Sequence, residues 1–126
     1  DHFKAVNDTH GHETGDRVLQ PVAKVATEIK RLTDVAARLG GEEFAILLPE
    51  TQKDGALHLA QRLRAAIEEA STVTSSGSLL TVTASVGVAT ITRNSKHLET
   101  ILKQADNALY EAKENGRNMV CVANDR

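Results

Sequence analysis

Hydrophobic residues recur every three or four positions in the first part of the chain, which predicts an amphipathic helix. The apolar positions that share this face are Val18, Leu19, Val22, Val25, Ala26 and Ile29. We expect the helix to start at Thr14-Gly15-Asp16, because Thr14 is a suitable N-cap residue. Pro21 falls inside this helix, where it removes one backbone donor and should bend the axis.

Two short apolar runs follow and predict a β-hairpin. They cover Asp34–Leu39 and Phe44–Leu48, and two glycines and two acidic residues separate them. Pro49 ends the second run. Helical spacing then returns from about Lys53 to Glu69, with an inner face formed by Ala56, Leu59, Ala60, Leu63 and Ile67.

The last part of the chain predicts a strand, a helix and a final strand. Small polar residues indicate a loop from Ser71 to Ser78, and strict alternation from Leu80 to Val88 indicates a β-strand with a kink at Gly87. A helix from about His97 to Asn115 ends at Gly116, a favourable C-cap residue, and Met119 to Val122 forms the last strand. The apolar stripe of this helix consists of Leu98, Ile101, Leu102, Ala105, Leu109 and Ala112.

This element order predicts an α+β fold with a central, mostly antiparallel sheet flanked by helices. The chain has 126 residues, which suits one domain with one core. A formal net charge of −2 argues against a nucleic-acid-binding protein, which usually carries an excess of basic residues. The single cysteine, Cys121, cannot form an internal disulfide, and no apolar run approaches the roughly 20 residues needed to span a bilayer. We therefore expect a cytoplasmic domain without membrane contact.

The predicted hairpin tip, Gly40-Gly41-Glu42-Glu43-Phe44, has two interpretations. One is a solvated turn. The other is a metal site, because hard cations such as Mg²⁺ prefer oxygen ligands and usually also hold substrate phosphates. The glycines would let a phosphate approach the backbone closely.

Two further groups of residues could recognise a nucleotide. Asn7 and Asp16 offer the donors and acceptors that match the edge of guanine, although both residue types also cap helices. Lys4, Lys113 and Arg117 could hold a triphosphate, although cations at the end of the last helix also suit its dipole.

Taken together and in order, these segments resemble the GGDEF domain of diguanylate cyclases, over essentially the whole of residues 1–126. The matching segments are Asp1-His2-Phe3-Lys4-Ala5-Val6-Asn7-Asp8, Gly11-His12, Gly15-Asp16, Gly40-Gly41-Glu42-Glu43-Phe44, Ser85-Val86-Gly87-Val88, Ala105-Asp106-Asn107-Ala108-Leu109-Tyr110-Glu111-Ala112-Lys113 and Gly116-Arg117-Asn118. The resemblance implies a fold similar to the palm of nucleotidyl cyclases and polymerases. It also implies a metal-dependent enzyme, assisted by Mg²⁺ or Mn²⁺, that condenses two GTP into cyclic di-GMP and two pyrophosphates.

The resemblance also implies roles for individual residues. Two copies would meet face to face as a homodimer, each holding one GTP. Glu42 would ligate metal, and Glu43 would support metal binding or proton transfer. Asn7 and Asp16 would bind guanine. The phosphates would be held by Phe3, Lys4, Lys113 and Arg117.

A second site is implied by Arg31-Leu32-Thr33-Asp34, which stands five residues before Gly40. In the family, an RxxD at this spacing is the inhibitory site where the product binds. Arg62 matches a second arginine that contributes to it. The resemblance therefore implies product feedback inhibition at Arg31, Asp34 and Arg62.

The sequence also departs from the family pattern. The family domain begins earlier, with a helix and a central strand whose aspartate, shortly before the position of Asp1, is the other principal metal ligand. We therefore expect an N-terminally truncated domain. Leu39 stands where tyrosine is usual. Two alternatives to the enzyme follow: an inactive cyclic di-GMP-binding module, and a regulatory dimerisation module.

Overall fold

The computed structural model describes residues 1–3, 8–9, 11–40, 42–73, 77, 79–91 and 97–123. Three helices and three pairs of strands have bounds within these ranges, and Phe3, Asp8 and Thr9 are also helical. The helices are α1 (His12–Ile29), α2 (Lys53–Glu69) and α3 (Leu98–Glu114). The strands are β1 (Val35–Gly40), β2 (Glu43–Leu47), β3 (Ser71–Val73), β4 (Leu79–Thr81), β5 (Val86–Val88) and β6 (Val120–Val122).

Two of the three strand pairs are antiparallel. β1 pairs with β2 as the predicted hairpin, and β3 pairs with β4. β5 and β6 are parallel, with α3 as the connection between them, and Val86 lies opposite Val120. The mixture of hairpins and covering helices confirms the α+β class.

The start of α1 differs from the prediction. The helix begins at His12, and Thr14 lies within it, so Thr14 is not the N-cap residue. Gly11 precedes the helix with φ 88, a backbone conformation that glycine adopts without steric cost. Because Gly11 adopts this conformation, the helix begins two residues before the predicted N-cap, Thr14. Pro21 lies inside α1, as predicted.

The region from Ser71 to Val88 also differs. The first residues of the predicted loop form β3, and the single strand predicted from Leu80 to Val88 is two strands, β4 and β5. Residues 82–85 lie between these two strands and belong to neither. The alternation of apolar and polar residues was correct, but alternation does not reveal where backbone pairing stops.

Small residues dominate the interior, and they allow the elements to approach closely. Buried side chains come from α1 (Val18, Leu19, Ala26), α2 (Ala56, Ala60, Ile67), α3 (Ala108, Ala112) and β5 (Val88). Leu98 and Leu102 are 57% and 47% exposed, so the predicted stripe on α3 is wrong at these two residues, whereas Ile101 between them is half-buried. β5 and β6 have three residues each and cover only the second half of α3.

The closest approach is between β5 and α3, at Gly87. A Cβ atom added to Gly87 would collide with the carbonyl oxygen of Ala105 and lie 2.5 Å from the backbone nitrogen of Leu109. Only glycine fits there, because the obstacles are backbone atoms that cannot rotate away. This contact fixes the position of α3 on the β5–β6 pair.

A cleft of about 500 Å³ lies between α1 and the hairpin. Its lining is largely apolar and includes Leu19, Ala23 and Ala26 of α1 and Ala36 and Phe44 of the hairpin. Of the predicted site residues whose side chains the structure describes, none lines this cleft. Within the described ranges, none of the helices has the length and apolar character needed to cross a membrane.

We expect Gly87→Ala to lower the free energy of unfolding by about 3 kcal/mol, because overpacking against backbone forces β5 and α3 apart. Urea unfolding of the two proteins measures this difference. Gly55→Ala is the matched control, because its added Cβ meets only Thr51 Cγ2, at 3.2 Å, near the start of α2. Alanine favours a helix over glycine by about 1 kcal/mol, so the control should be neutral or stabilising. Equal stability of Gly87→Ala and the parent protein would contradict the packing argument.

Candidate active site

The two acidic residues of the predicted metal site lie at the tip of the β1–β2 hairpin. Glu42 is in the turn, and Glu43 is the first residue of β2, opposite Gly40. The strand register shifts between Arg38 and Gly40, an irregularity that alters the twist near the tip. Both glutamates are exposed and can therefore reach a ligand outside the hairpin.

The end of α3 carries the two predicted phosphate-binding cations that the structure describes. Lys113 lies in the last turn, and Asn115 ends the helix. Gly116 follows with φ 118, and the N–H of Arg117 donates to the carbonyl of Ala112 at 2.9 Å. This bond and the positive φ form a Schellman-type helix end, which confirms the predicted role of Gly116. It also places Arg117 directly beyond the helix terminus, close in sequence to Lys113.

Glu42, Lys113 and Arg117 all lie within electrostatic range of Asp1. At the Asp1 nitrogen the carboxylate and the two cations act in opposite directions. The hairpin tip and the end of α3 therefore lie near the same part of the molecule.

The carboxylate of Asp1 is itself held firmly. It accepts hydrogen bonds from Thr83 Oγ1 at 2.7 Å, Ser85 Oγ at 2.6 Å and the Asn118 N–H at 3.2 Å. The Asp1 amino group also donates to the Thr83 carbonyl at 2.9 Å. These contacts occupy polar groups of residues 82–85, the segment where the predicted strand is interrupted.

Sequence analysis did not assign a role to Asp1. The signal was present, because Asp1 and Ser85 both lie within motifs that match the family. Their side chains are far apart in sequence, however, and only the fold shows that Asp1 joins the residues before β5 to the loop after α3.

The acidic residues fit a divalent cation of the kind that is shared with phosphates. Within the described residues there is no cluster of three His, Cys, Asp or Glu side chains that could hold a metal by itself. Mg²⁺ does not require one, since it usually keeps several waters and binds one or two carboxylates together with substrate phosphates. The exposed Glu42, close to two cations that suit phosphate, has the donor chemistry for such a site.

Several predicted nucleotide-binding groups fall outside the described part of the chain. Lys4 and Asn7 are outside the described residues, and Asp16 lies in α1 but its side chain is outside the description. Phe3 is half-buried. The proposed guanine contacts therefore remain predictions.

Arg31 and Asp34, the predicted inhibitory pair, bind each other. Arg31 Nη2 lies 2.9 Å from Asp34 Oδ1, and Arg31 Nε lies 3.1 Å from Oδ2. The Arg31 backbone N–H also donates to Asp34 Oδ2 at 2.8 Å. Asp34 is only 3% exposed, whereas the Arg31 side chain is 52% exposed. The buried carboxylate thus orients a guanidinium that still faces solvent.

Two residues outside the RxxD motif also contact this guanidinium. Arg31 Nη2 donates to the Pro49 carbonyl at 3.2 Å and to Thr51 Oγ1. Thr51 stands just before α2, the helix that carries Arg62. Arg62 is exposed and lies two and a half turns, or about 14 Å, along the helix from Lys53.

Comparison with known proteins gives consistent results. The family model described as "Diguanylate cyclase, GGDEF domain" matches residues 1–119. Diguanylate cyclase A of Treponema denticola is 43% identical over 123 residues, covering 98% of this chain and 33% of that protein. The chain spans about a third of the length of the curated relatives it matches.

Solved structures share the fold closely. The GGDEF domain of DgcB from Caulobacter crescentus, in complex with c-di-GMP, matches with a TM-score of 0.91 and 34% identity, covering 97% of this chain and 72% of that chain. The active GGEEF domain of a diguanylate cyclase from Vibrio cholerae matches with a TM-score of 0.86 and 32% identity, covering 100% of this chain and 79% of that one.

The Arg31–Asp34 pair generates a pH prediction. The hydrogen bonds from Arg31 hold the pKa of the Asp34 carboxyl below its usual 3.8. A carboxyl whose pKa is lowered by folding stabilises the protein above its unfolded pKa, and loses that contribution as pH falls through the folded value. We therefore expect Asp34→Asn to be less stable than the parent protein at pH 7, with a difference that shrinks as pH falls below about 4.

Thermal unfolding at pH 7, 5 and 3 measures this difference. Asp54→Asn is the control, because Asp54 is exposed in the first turn of α2. A difference between Asp34→Asn and the parent that is equally large at pH 3 and pH 7 would show that the ionised carboxylate is not the source of the stabilisation.

Proposed function

The chain belongs to the GGDEF family of diguanylate cyclases, and from this premise we propose that it condenses two GTP into one cyclic di-GMP and two pyrophosphates with the help of Mg²⁺ or Mn²⁺. In each half of the reaction the 3′-hydroxyl oxygen of one GTP bonds to the α-phosphorus of the other. The bond from that phosphorus to the bridging oxygen breaks, pyrophosphate leaves, and the hydroxyl proton passes to a base or to water.

The observation that carries this proposal is that Glu42, Lys113 and Arg117, which come from two different elements, all lie within electrostatic range of Asp1. A triphosphate needs cations to bind its oxygens, and Arg and Lys supply these in different ways: a planar fork and a point charge. A carboxylate next to them supplies the hard ligand that a phosphate-bound divalent cation prefers. The three residues therefore match the charge pattern of a nucleotide triphosphate carrying a metal ion.

Each residue has a distinct part in the proposed reaction. When bound, the metal ion lowers the barrier by neutralising charge on the hydroxyl and phosphate oxygens. Glu42 ligates it, and Glu43, adjacent at the hairpin tip, supports metal binding or takes up a proton. Lys113 and Arg117, with Lys4 and the backbone near Phe3, bind and orient the phosphates.

The proposed selectivity for GTP depends on Asn7 and Asp16. A carboxylate can accept from N1–H and the N2 amino group of guanine, whereas adenine has no proton on N1 and no N2 amino group. Pairing Asp16 with adenine would leave a charged acceptor without donors, which costs about 1–3 kcal/mol or more. This argument favours guanine over adenine.

One copy of the site holds one GTP, so the reaction requires two copies. We propose a homodimer in which two sites face each other, since each 3′-hydroxyl must reach the α-phosphate held by the other copy. The exposed hairpin tip with Glu42 and Glu43 is compatible with such an approach, because no described element covers it.

The Arg31–Asp34 pair supports product inhibition as a further part of this function. Arg31 has one side engaged with Asp34 and Thr51 and remains half-exposed, so its free donors can bind phosphate or guanine oxygens of cyclic di-GMP. Arg62 would contribute a second guanidinium. Binding there slows the enzyme if it favours a nonproductive arrangement of the two copies.

A second candidate function is a cyclic di-GMP receptor without catalysis. The pair formed by Arg31 and Asp34 favours it, since this pair is assembled by local bonds that do not involve the hairpin tip. The solved GGEEF domain that is described as active favours the enzyme, because this chain carries the same Gly-Gly-Glu-Glu-Phe segment. The measurements below separate the two functions.

We expect Glu42→Ala to lower turnover of GTP on the order of 100-fold or more, because a group that stabilises transition-state charge is lost. The assay incubates the whole protein that contains this sequence with GTP and Mg²⁺ and separates the nucleotides. Glu28→Ala, an exposed change on α1, is the control and should keep full activity. Wild-type turnover by Glu42→Ala would refute the metal-ligand role, and a parent protein that binds cyclic di-GMP without making it would be a receptor.

We expect Arg31→Ala to weaken cyclic di-GMP binding by about ten- to a hundredfold, because charge-assisted hydrogen bonds to the ligand are lost. Calorimetric titration of cyclic di-GMP into the two proteins measures this change, with Lys103→Ala on the exposed face of α3 as the control. Product inhibition of turnover should weaken in parallel. Equal affinities of Arg31→Ala and the parent protein would remove Arg31 from the binding site.

A further inference from the structure

Asn118 joins three parts of the molecule. Its side-chain Oδ1 accepts from Arg64 Nη1 of α2 at 2.9 Å, and its Nδ2 donates to Glu68 Oε2 of the same helix. Its backbone N–H donates to the Asp1 carboxylate at 3.2 Å. We call these contacts with Arg64, Glu68 and Asp1 the Asn118 link.

The chemistry of the link requires an amide. Arg64 and Glu68 are one turn apart on α2 and form an ion pair at 3.7 Å, and Gln61 Oε1 accepts from Arg64 Nε at 3.1 Å. A partner for both must accept from a cation and donate to a carboxylate. Asn offers an acceptor and a donor on one rigid plane, whereas Asp would place a second negative charge against Glu68.

The backbone around Asn118 has an unusual shape. Gly116, Arg117 and Asn118 are three consecutive residues with positive φ, at 118, 64 and 48 degrees. Asn adopts this region more readily than most residues, but Arg does not, so the surroundings must hold Arg117 in it. The bond from the Arg117 N–H to Ala112 fixes one side, and the Asn118 link fixes the other.

We propose that Asn118 is a positioning residue, which holds Arg117 in its left-handed conformation and so aims the guanidinium at the phosphates of the nucleotide. This inference rests on the proposed function, since it assumes that Arg117 binds phosphate. In this proposal α2 also contributes to the site. Arg64 and Glu68 do not contact the nucleotide themselves, but through Asn118 they set the orientation of Arg117, which does. Breaking the link frees Arg117 to sample other backbone conformations and weakens its hold on the phosphates.

The test uses the whole protein that contains this sequence. Asn118→Gly keeps the positive φ without strain and removes only the side chain, whereas Asn118→Ala removes the side chain and strains the backbone. Arg64→Ala removes the contact between Arg64 and Asn118 from the α2 side and leaves the loop sequence intact. Glu69→Ala, an exposed change beside Glu68, is the matched control.

We expect Asn118→Gly and Arg64→Ala each to raise the KM for GTP by roughly tenfold with a smaller change in kcat, because the loss is in phosphate binding. Calorimetry should show a similar fold loss in affinity for pyrophosphate with Mg²⁺ and no loss for guanosine. The Asn118→Gly, Arg64→Ala double variant should match Asn118→Gly, since the glycine already removes the contact with Arg64. Glu69→Ala should match the parent protein.

Each outcome decides between positioning and other roles. A lower melting temperature with unchanged KM and pyrophosphate affinity would make the link merely structural and overturn the proposal. Normal binding by Asn118→Gly with defective binding by Asn118→Ala would assign the effect to backbone strain and overturn it as well. A parent protein that turns over GTP while all variants keep its KM refutes the link alone; a parent protein that neither turns over nor binds GTP refutes the proposed function, and the link proposal with it.

Discussion

The close approach of α3 to β5 at Gly87 is the constraint on which the site depends. Because Gly87 has no side chain, the backbone of α3 near Ala105 and Leu109 rests directly on the strand. Ala108 and Ala112, further along α3, are also buried, so packing fixes the axis of the helix along its second half. Lys113 and Arg117 follow immediately, and their positions therefore depend on the packing of small apolar residues along the helix. Polar chemistry at the end of the helix depends on apolar contact along it.

Much of this fold could be predicted from the spacing of apolar residues. The bounds of α2 are those predicted, and both ends of α3 lie one residue inside the predicted range. The hairpin was found because turn residues separate two apolar runs. Two of the errors have causes outside the local pattern. The start of α1 depends on the backbone conformation of Gly11. The interruption between β4 and β5 coincides with the binding of Asp1 to Thr83 and Ser85. Neither is visible in local periodicity.

In the candidate site, too, the sequence motifs predicted some residues, while contacts between distant parts of the chain were not predicted. Glu42, Lys113 and Arg117 were predicted from motifs, and all three lie within electrostatic range of Asp1. The function of Asp1 as an anchor was missed, because its three hydrogen-bond donors come from the segment before β5 and the loop after α3. In the predicted inhibitory pair, Arg31 and Asp34 are close in sequence. Their further partners Pro49 and Thr51 were not predicted, since only the return of the chain after β2 brings them to Arg31. Sequence motifs identify reacting groups better than the residues that support them.

The β1–β2 hairpin carries Asp34 at its base and Glu42 at its tip. Asp34 immediately precedes β1, and Glu42 lies two residues after Gly40, where β1 ends. The six residues of the strand therefore separate Asp34 from the tip by about 20 Å. At that length, a tilt of about five degrees around the Asp34 end moves the tip by about 1.7 Å. Catalytic geometry is sensitive to displacements of about 1 Å. A small rotation of the hairpin about its base would therefore displace its tip by a distance that is large on the scale of a reacting bond.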